Sequence, residues 1–290
     1  MPFTLSHPAA VLPLMRRPFS RAALVAGAVA PDMPYFVATT GLPVNAQSWY
    51  EPFVNATTTH TALGAVTVTL PYALMLWGLA RAGRRPLAAL LPPPAAPSWP
   101  RTAGTPIRRA GWIALSVLIG IATHLVWDSF THHAGFAVAH TPWLTSTAVG
   151  SLTWERTLQH ASTIGGLAAV AVYVWRGRAR LLGGKDRTGP GSAMRHRTLL
   201  AMALFTVAGA VTHAWWRLAG PEAATTGLPL NVVIEGILSD AAKGAGAGLI
   251  GALTLHIAAW WIREAVTAAR PRGSTARSAY DDTPGADASA

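Results

Sequence analysis

Residues 111–130 read GWIALSVLIGIATHLVWDSF, an almost uncharged apolar stretch that carries one histidine and one aspartate near its end. A run of roughly 20 apolar residues is long enough to cross the hydrocarbon core of a bilayer as a helix. Four further stretches approach this length, at 62–80, 157–175, 198–216 and 244–262. Because a helix satisfies its backbone hydrogen bonds internally, we expect all five to be membrane-crossing helices.

The composition of the whole chain agrees with a membrane protein. Of the 290 residues, 51% are hydrophobic and only 12% are charged, whereas a soluble domain is typically about one quarter charged. The chain has no cysteine, which excludes disulfides and thiolate metal sites. The N-terminus lacks the order of a secretory signal because its apolar stretch precedes Arg16 and Arg17.

The segment before the first span predicts a short helical hairpin, with arms at 8–15 and 21–30 and a break at Pro18. The predicted fold is therefore all-α, a polytopic transmembrane helical bundle of five main spans plus an N-terminal hairpin. We expect one transmembrane domain over 1–265, loops at 81–109 and 176–197, and a disordered tail at 266–290.

The net charge of +11 raises the question of nucleic-acid binding, which the placement of the basic residues answers. Most of the 23 Lys and Arg residues lie in the two predicted loops and after the fifth span, whereas the loops on the opposite side hold only Arg156, Arg217 and Lys243. Lys and Arg are retained on the cytoplasmic side of membrane proteins. We therefore expect a multi-pass plasma-membrane protein with cytoplasmic loops, a cytoplasmic C-terminus and no nucleic-acid partner.

With that orientation, most of the ten histidines fall at the extracytoplasmic ends of the spans. His124, Asp128 and His132 are spaced at i, i+4 and i+8, so each lies about 40° around the helix from the last and the three share one stripe. Buried ionisable groups are costly in a membrane and are usually functional. Histidines and aspartates of neighbouring segments are expected to join this stripe at one site for a divalent metal, with zinc as the expected ion. The predicted ligands are His7, Asp32, His60, His124, Asp128, His132 and His160.

Simpler interpretations exist for the individual residues. A single histidine on a helix is more often a packing residue than a ligand, which is our expectation for His140, His213 and His256. Asp32 could cap a turn, and the His124/Asp128 pair could be an interhelical polar clamp. The metal site is favoured because independent placement would not bring so many of these residues to one depth.

Five segments carry a family resemblance. They are MPFTLSHPAA at 1–10, APDMPYF at 30–36, THT at 59–61, HLVWDSFTH at 124–132 and LQHAS at 158–162. They resemble the bacterial membrane proteins of domain of unknown function 4184, over roughly residues 1–175 and more loosely beyond. That family has no established activity, so the resemblance implies topology more than function.

The order of the predicted ligands is similar, more distantly, to that of membrane-bound metal-dependent hydrolases and of zinc-dependent phospholipase C. In those proteins His and Asp residues hold metal ions that activate water against a phosphate ester. The residues that match in order are His7, Asp32, His60, His124, Asp128 and His132. The phospholipase pattern has a later His-x-x-x-Glu, whereas position 164, four residues after His160, is Ile. The resemblance therefore implies one or two ions instead of three.

The leading hypothesis is a membrane-embedded metal-dependent hydrolase that acts at the outer membrane interface on a phosphoester or lipid-linked substrate. Asp32 or Asp128 would ligate the metal or act as general base, and the sequence leaves these two roles open. The alternative is a non-enzymatic membrane protein that binds or transports a metal ion, or that uses the cluster only structurally. In that case Glu235, Asp240 and Lys243 would be further polar groups along a path.

Overall fold

The computed structural model describes residues 3–42, 48–90, 105–150, 152–182, 191–220 and 228–269. This part of the chain is mainly helical, and its strands are an antiparallel pair, β1 (Thr147–Val149) and β2 (Leu152–Thr153). The α-helices are α1 (Arg21–Val29), α2 (Met33–Ala38), α3 (Glu51–Val54), α4 (Ala56–Thr59), α5 (Ala62–Gly64), α6 (Leu70–Ala82), α7 (Arg84–Leu90), α8 (Pro106–Thr131), α9 (Phe136–Ala139), α10 (Trp154–Leu182), α11 (Ser192–Ala219) and α12 (Leu230–Ala269). Three 3-10 helices cover Thr4–Leu14, Ala30–Asp32 and Pro142–Thr145, and the π-helical segment Ala65–Thr69 joins α5 to α6.

Four helical stretches of the described chain are long and apolar enough to cross a membrane: Ala62–Ala82, Pro106–Ala139, Ser192–Ala219 and Leu230–Ala269. They contain four of the five predicted spans. The remaining one, 157–175, is helical as part of α10 but is not among these candidates. Its first turns carry Gln159, His160, Ser162 and Thr163, which shorten the apolar run.

The N-terminal hairpin has its predicted break around Pro18, but its first arm is not an α-helix. Pro8 and Pro13 lie inside this arm, which is the 3-10 helix Thr4–Leu14. Proline has no backbone N–H to donate and clashes with the preceding turn of an α-helix. The second arm is α1, whose start is capped by the Ser20 hydroxyl accepting from the amide of Ala23.

The predicted loops are partly helical. Helix α7 lies within 81–109, α8 begins at Pro106, and α10 and α11 extend into 176–197. Thr105 caps α8 by accepting from the amide of Arg108, and proline is favoured at a first helical position. Helical turns rich in charged residues have no apolar run, so the hydropathy of the sequence did not indicate these helical parts of the loops. The start of the predicted tail, 266–269, is helical because α12 continues to Ala269. The rest of that tail, at 270–290, and residues 91–104 and 183–190 lie outside the described residues.

Helices α1 and α8 cross with their backbones in contact. A Cβ on Gly27 would overlap the carbonyl oxygen of Val117, and a Cβ on Gly120 would overlap that of Leu24. Only glycine permits so close an approach of two helices. Buried apolar side chains of α1, α6 and α8 pack around this crossing, including Ala73 and Ile121. These three helices form the part of the bundle that carries the site.

Helices α11 and α12 form a second close pair. Gly209 and Gly244 face each other so closely that a Cβ on either would overlap the carbonyl oxygen of the other. This pair packs against the rest of the chain through α12, which contacts α2 and α7. At the α2 contact, the ring of Phe36 lies against Gly246.

Candidate metal centre

Four side chains from three separate segments meet at one end of the α1, α6 and α8 unit. Asp32 ends a 3-10 helix, His60 follows α4, and both His124 and Asp128 belong to the last turns of α8. One ligand atom of each lies within 4.8 Å of the others. Asp32, His124 and Asp128 are buried, and His60 is half-buried. These four residues, called the His/Asp cluster below, could hold a metal ion.

The distances within the His/Asp cluster suit a single small cation. Asp128 Oδ2 lies 3.2 Å from the Nε2 atoms of both His60 and His124. Asp32 Oδ1 lies 3.5 Å from His124 Nε2 and 4.0 Å from His60 Nε2. Four N and O donors held tetrahedrally at zinc bond lengths would lie roughly 3.3–3.6 Å from one another. The cluster is therefore close to the required spacing.

Most of these buried atoms make no hydrogen bond. Among the described residues, His124 Nε2, both carboxylate oxygens of Asp32 and Asp128 Oδ1 lack a hydrogen-bond partner. Buried polar atoms are normally paired, and an unpaired buried charge is costly. A divalent cation would satisfy all of these atoms at once. Imidazole nitrogen and carboxylate oxygen are donors that zinc and similar transition metals accept.

Both imidazole rings of the cluster are held by backbone carbonyl groups. His124 Nδ1 donates to the carbonyl oxygen of Ala28 at 2.8 Å, and His60 Nδ1 donates to that of Ala56 at 2.7 Å. Since a carbonyl oxygen can only accept, Nδ1 carries the proton in each ring. A neutral ring in this tautomer directs the lone pair of Nε2 into the cluster, as in most histidine ligands of metals.

His7 lies against the cluster from the N-terminal 3-10 helix. Its ring stacks on that of His124 with centroids 3.8 Å apart, and its Nε2 atom is 3.5 Å from Asp128 Oδ1. Burial lowers the pKa of His7 to about 4. The ring is therefore neutral near pH 7 and its nitrogen can act as a ligand.

The other two predicted ligands lie at the edge of the cluster or outside it. The backbone leaves the α8 helix at His132, yet the ring stays close, with Nε2 3.9 Å from Asp128 Oδ2. His160 is half-buried on α10, and no hydrogen bond, ion pair or ring contact within the described chain joins it to the cluster. His133 does not join the cluster either, and its Nδ1 lies 2.9 Å from Glu155 Oε1.

The histidines expected to be packing residues do not join the cluster. His140 Nδ1 donates to the carbonyl oxygen of Phe136 at 2.8 Å. His256 approaches the carbonyl oxygen of Pro86 at 3.4 Å, and His213 lies beside Gly244. The half-buried positions of His213 and His256 agree with a role in packing, whereas His140 is exposed.

Two buried threonines support the cluster and were not singled out from the sequence. The Thr59 hydroxyl donates to the carbonyl oxygen of Pro31 at 2.7 Å, and the Thr69 hydroxyl donates to that of Thr59 at 3.0 Å. Pro31 precedes Asp32, and Thr59 precedes His60. The Thr59 hydroxyl thus joins the segment that carries Asp32 to the segment that carries His60. Residues 31 and 59 are far apart in the sequence, so the sequence did not indicate this contact.

The family model described as Domain of unknown function (DUF4184) matches residues 1–255. The chain belongs to this family. The match covers every residue of the His/Asp cluster and confirms the family resemblance. No curated protein and no solved structure gave a significant match. The DUF4184 description assigns no activity, so function has to be argued from the site.

Proposed function

We propose that this protein is a membrane-embedded, metal-dependent hydrolase. The observation that carries the proposal is the convergence of Asp32, His60, His124 and Asp128 on one point, with most of their buried donor atoms lacking a hydrogen bond. We propose zinc as the ion because two imidazoles and two carboxylates form a mixed N/O donor set. His7 and His132 are further donors beside the cluster, which would allow one or two ions.

The exposure of the cluster favours a catalytic over a purely structural metal. Structural zinc sites are closed to solvent, whereas catalytic sites leave room for a water and can expand to five ligands during the reaction. The His60 and His132 side chains are 19% and 28% exposed, while those of Asp32, His124 and Asp128 are at most 4% exposed. The cluster is therefore closed on its inner side and accessible past these two histidines, which we call the open edge.

Hydrolysis needs an activated water, a base and an acid. A divalent ion supplies charge that lowers the pKa of water and polarises a phosphoryl or carbonyl oxygen. Asp128, which contacts both cluster imidazoles, is placed to be a ligand. Asp32 has a carboxylate oxygen to spare and would accept the proton of the attacking water as general base. His132 lies at the open edge, 28% exposed, where it would donate a proton to the leaving-group oxygen and take up another from solvent, while Asp32 later releases the proton of the water.

The location of the site supports a lipid or lipid-linked phosphoester as substrate. The cluster lies at one end of two candidate spans, just before Ala62–Ala82 and in the last turns of α8. The few Lys and Arg residues on this side support an extracytoplasmic position in the plasma membrane, with the C-terminus in the cytoplasm.

One observation favours a non-enzymatic, structural cluster instead. The contact between His60 Nε2 and Asp128 Oδ2 has hydrogen-bond geometry, so a protonated His60 would balance part of the buried charge without a metal. A transport path receives less support. Both carboxylate oxygens of Glu235 accept from Arg156 Nη2. Asp240 forms ion pairs with Arg217 and Lys243. These groups tie helices together and leave no unpaired charge to carry an ion.

Metal analysis followed by an activity assay separates these functions. Detergent-purified protein is expected to carry one or two zinc equivalents and to hydrolyse a generic phosphodiester, with loss of activity on chelation. His124→Ala should lose both properties. The matched control His140→Ala, in an exposed histidine outside the cluster, should keep both. Bound metal without metal-dependent turnover would favour a metal-binding protein, and absence of metal would favour the structural role.

A further inference from the structure

Two segments with few charges flank the open edge of the His/Asp cluster. The first rim, residues 48–59, leads directly into His60, and Glu51 is its only charged residue. The second rim, residues 133–150 and 152–153, follows His132 and contains no Asp, Glu, Lys or Arg. The two histidines that form the open edge are therefore each joined to a nearly uncharged segment.

Both rims expose large apolar side chains. Trp49 of the first rim is 83% exposed, and Val149 of the second rim is 69% exposed. Phe53, Phe136 and Trp143 are also exposed. Exposed apolar groups clustered around a site indicate a surface that another apolar phase or molecule covers.

Several polar groups of the second rim make hydrogen bonds within the rim, although the hydroxyl of Thr153 has no partner. The hydroxyls of Thr145 and Ser146 donate to the carbonyl oxygens of Pro142 and Trp143, at 2.8 Å and 2.6 Å. His140 donates to its own segment in the same way, and the amide of Trp154 donates to the carbonyl oxygen of Ser146 at 3.1 Å. A segment that leaves water must make its hydrogen bonds internally. The described part of the second rim makes several of its hydrogen bonds in this way although it is largely exposed.

The covering phase is best explained as lipid. The second rim begins where α8 ends, so it follows directly from a helix that is long and apolar enough to cross a membrane. Tryptophan and other aromatic residues are enriched at the level of the lipid headgroups. A soluble partner protein would be expected to meet charged groups at the edge of its interface, and the second rim has none.

We propose that both rims lie in the lipid headgroup layer and that a phosphate-bearing membrane lipid enters the cluster sideways, between them. This inference rests on the proposed function for the identity of the substrate, whereas the position of the rims does not depend on it. A lipid that enters between the rims would bring its headgroup phosphate to the open edge while its acyl chains stay in the bilayer.

The absence of cysteine makes the position of the rims directly measurable, because a single introduced cysteine can carry a unique nitroxide label. We would label Trp49→Cys and Val149→Cys in protein reconstituted into phosphatidylcholine vesicles. Leu204→Cys, on the exposed middle of α11, serves as the lipid-facing control. Ala269→Cys, about 10 Å beyond residue 262 along the α12 axis, serves as the aqueous control.

Power-saturation EPR with oxygen and a nickel chelate then gives the depth of each label. Labels on both rims are expected to show an oxygen-to-nickel accessibility ratio above that of Ala269→Cys and below that of Leu204→Cys. A ratio equal to that of the aqueous control would overturn the inference. So would a signal that changes on dilution with unlabelled protein, since this would show that a second copy covers the rim.

A kinetic comparison tests the sideways route. Val149→Asp should lower the hydrolysis of a phospholipid embedded in vesicles several-fold and leave the hydrolysis of a water-soluble phosphodiester unchanged, whereas Val149→Leu should leave both unchanged. Equal loss with both substrates would contradict the route. If the wild-type protein hydrolyses neither substrate, the proposed function fails, and the EPR depths still decide where the rims lie.

Discussion

The Thr59 hydroxyl is a single group on which the positions of two ligands depend. It links the backbone beside Asp32 to the backbone beside His60. Thr59→Val keeps the shape of the side chain and removes this hydrogen bond. Because groups that orient ligands typically contribute 10–100-fold to metal affinity, we expect Thr59→Val to weaken zinc binding by about that factor. Competition with a chromophoric chelator measures the change.

The conservative substitution Thr59→Ser is the matched control, because it keeps the hydroxyl. It should retain affinity close to that of the unmodified chain. Equal affinities for the Val and Ser variants would show that the hydrogen bond does not position the ligands.

Asp32 gives opposite predictions for binding and for stability. Its carboxylate is fully buried, and neither oxygen has a hydrogen-bond partner in the described structure. Asp32→Asn removes the buried negative charge at almost constant volume. We expect it to abolish zinc binding and to raise the free energy of unfolding of the metal-free protein by about 1–3 kcal/mol.

Denaturant unfolding of the metal-free variants measures this effect, with Glu235→Gln as a control whose carboxylate is paired with Arg156. The control should not become more stable. If Asp32→Asn instead destabilises the metal-free protein, Asp32 takes part in a satisfied polar network and the structural role is the better explanation.

At the level of elements, the glycine crossing of α1 and α8 determines where His124 lies. Gly120 precedes His124 by about one turn, and the contact at Gly27 and Gly120 brings the Ala28 carbonyl oxygen within reach of the imidazole. Gly120→Ala would force the two backbones apart. We expect a loss of about 1–3 kcal/mol in the free energy of unfolding and a reduced zinc content.

Gly111→Ala, on the same helix, provides the control, because a Cβ there meets no atom within 4 Å. It should leave zinc content unchanged and leave stability unchanged or slightly higher. Unfolding in mixed detergent micelles and metal analysis compare the two variants. The same result for both would show that the crossing is not tightly packed.

The sequence predicted the positions of the long helices better than the contacts between them. Helices α8, α11 and α12 follow from continuous apolar runs, and the shared depth of Asp32, His60, His124 and Asp128 follows from the order of spans and turns. The crossing at Gly27 and Gly120 could not be foreseen, because glycine in an apolar run looks like any small residue. The prediction that His132 lies on one stripe with His124 and Asp128 assumed that α8 includes His132. In the structure α8 ends at Thr131, one residue earlier.

The position of α10 shows the same limit. Two contacts determine which face of α10 packs against the N-terminal segment. The Thr163 hydroxyl accepts from the amide of Phe3, and Gly166 lies against Ser6. Neither contact has a signature in the sequence. The expectation that His160 would join the site relied on its depth alone, and depth does not determine which way a helix face points.

At the level of the whole molecule, a metal ion bound at the cluster would stabilise the folded chain. A cation that binds the folded chain and not the unfolded chain stabilises it by about 2.7 kcal/mol at a free concentration 100 times the dissociation constant. We therefore expect zinc to raise the melting temperature of chelator-stripped protein in a concentration-dependent way. Magnesium should have little effect, since it prefers oxygen ligands and two of the four cluster donors are nitrogen.

Thermal unfolding in detergent, followed by the fluorescence of the 12 tryptophans, provides the measurement. His124→Ala should show no shift with zinc, while His140→Ala should shift as the unmodified chain does. A shift of equal size with both metals would indicate a general effect of divalent ions on the surface and would contradict a specific site.

All four residues of the His/Asp cluster, and His7 and His132 beside it, come from the first 132 residues of the chain. Helices α11 and α12 contribute none of them and are held to each other by their own glycine contacts. Because the ribosome builds the chain from its N-terminus, every donor leaves the exit tunnel well before this last helical pair has been made. Under the proposed function, the metal ion would therefore be captured during translation, and the late pair would insert as one unit against a centre that is already assembled.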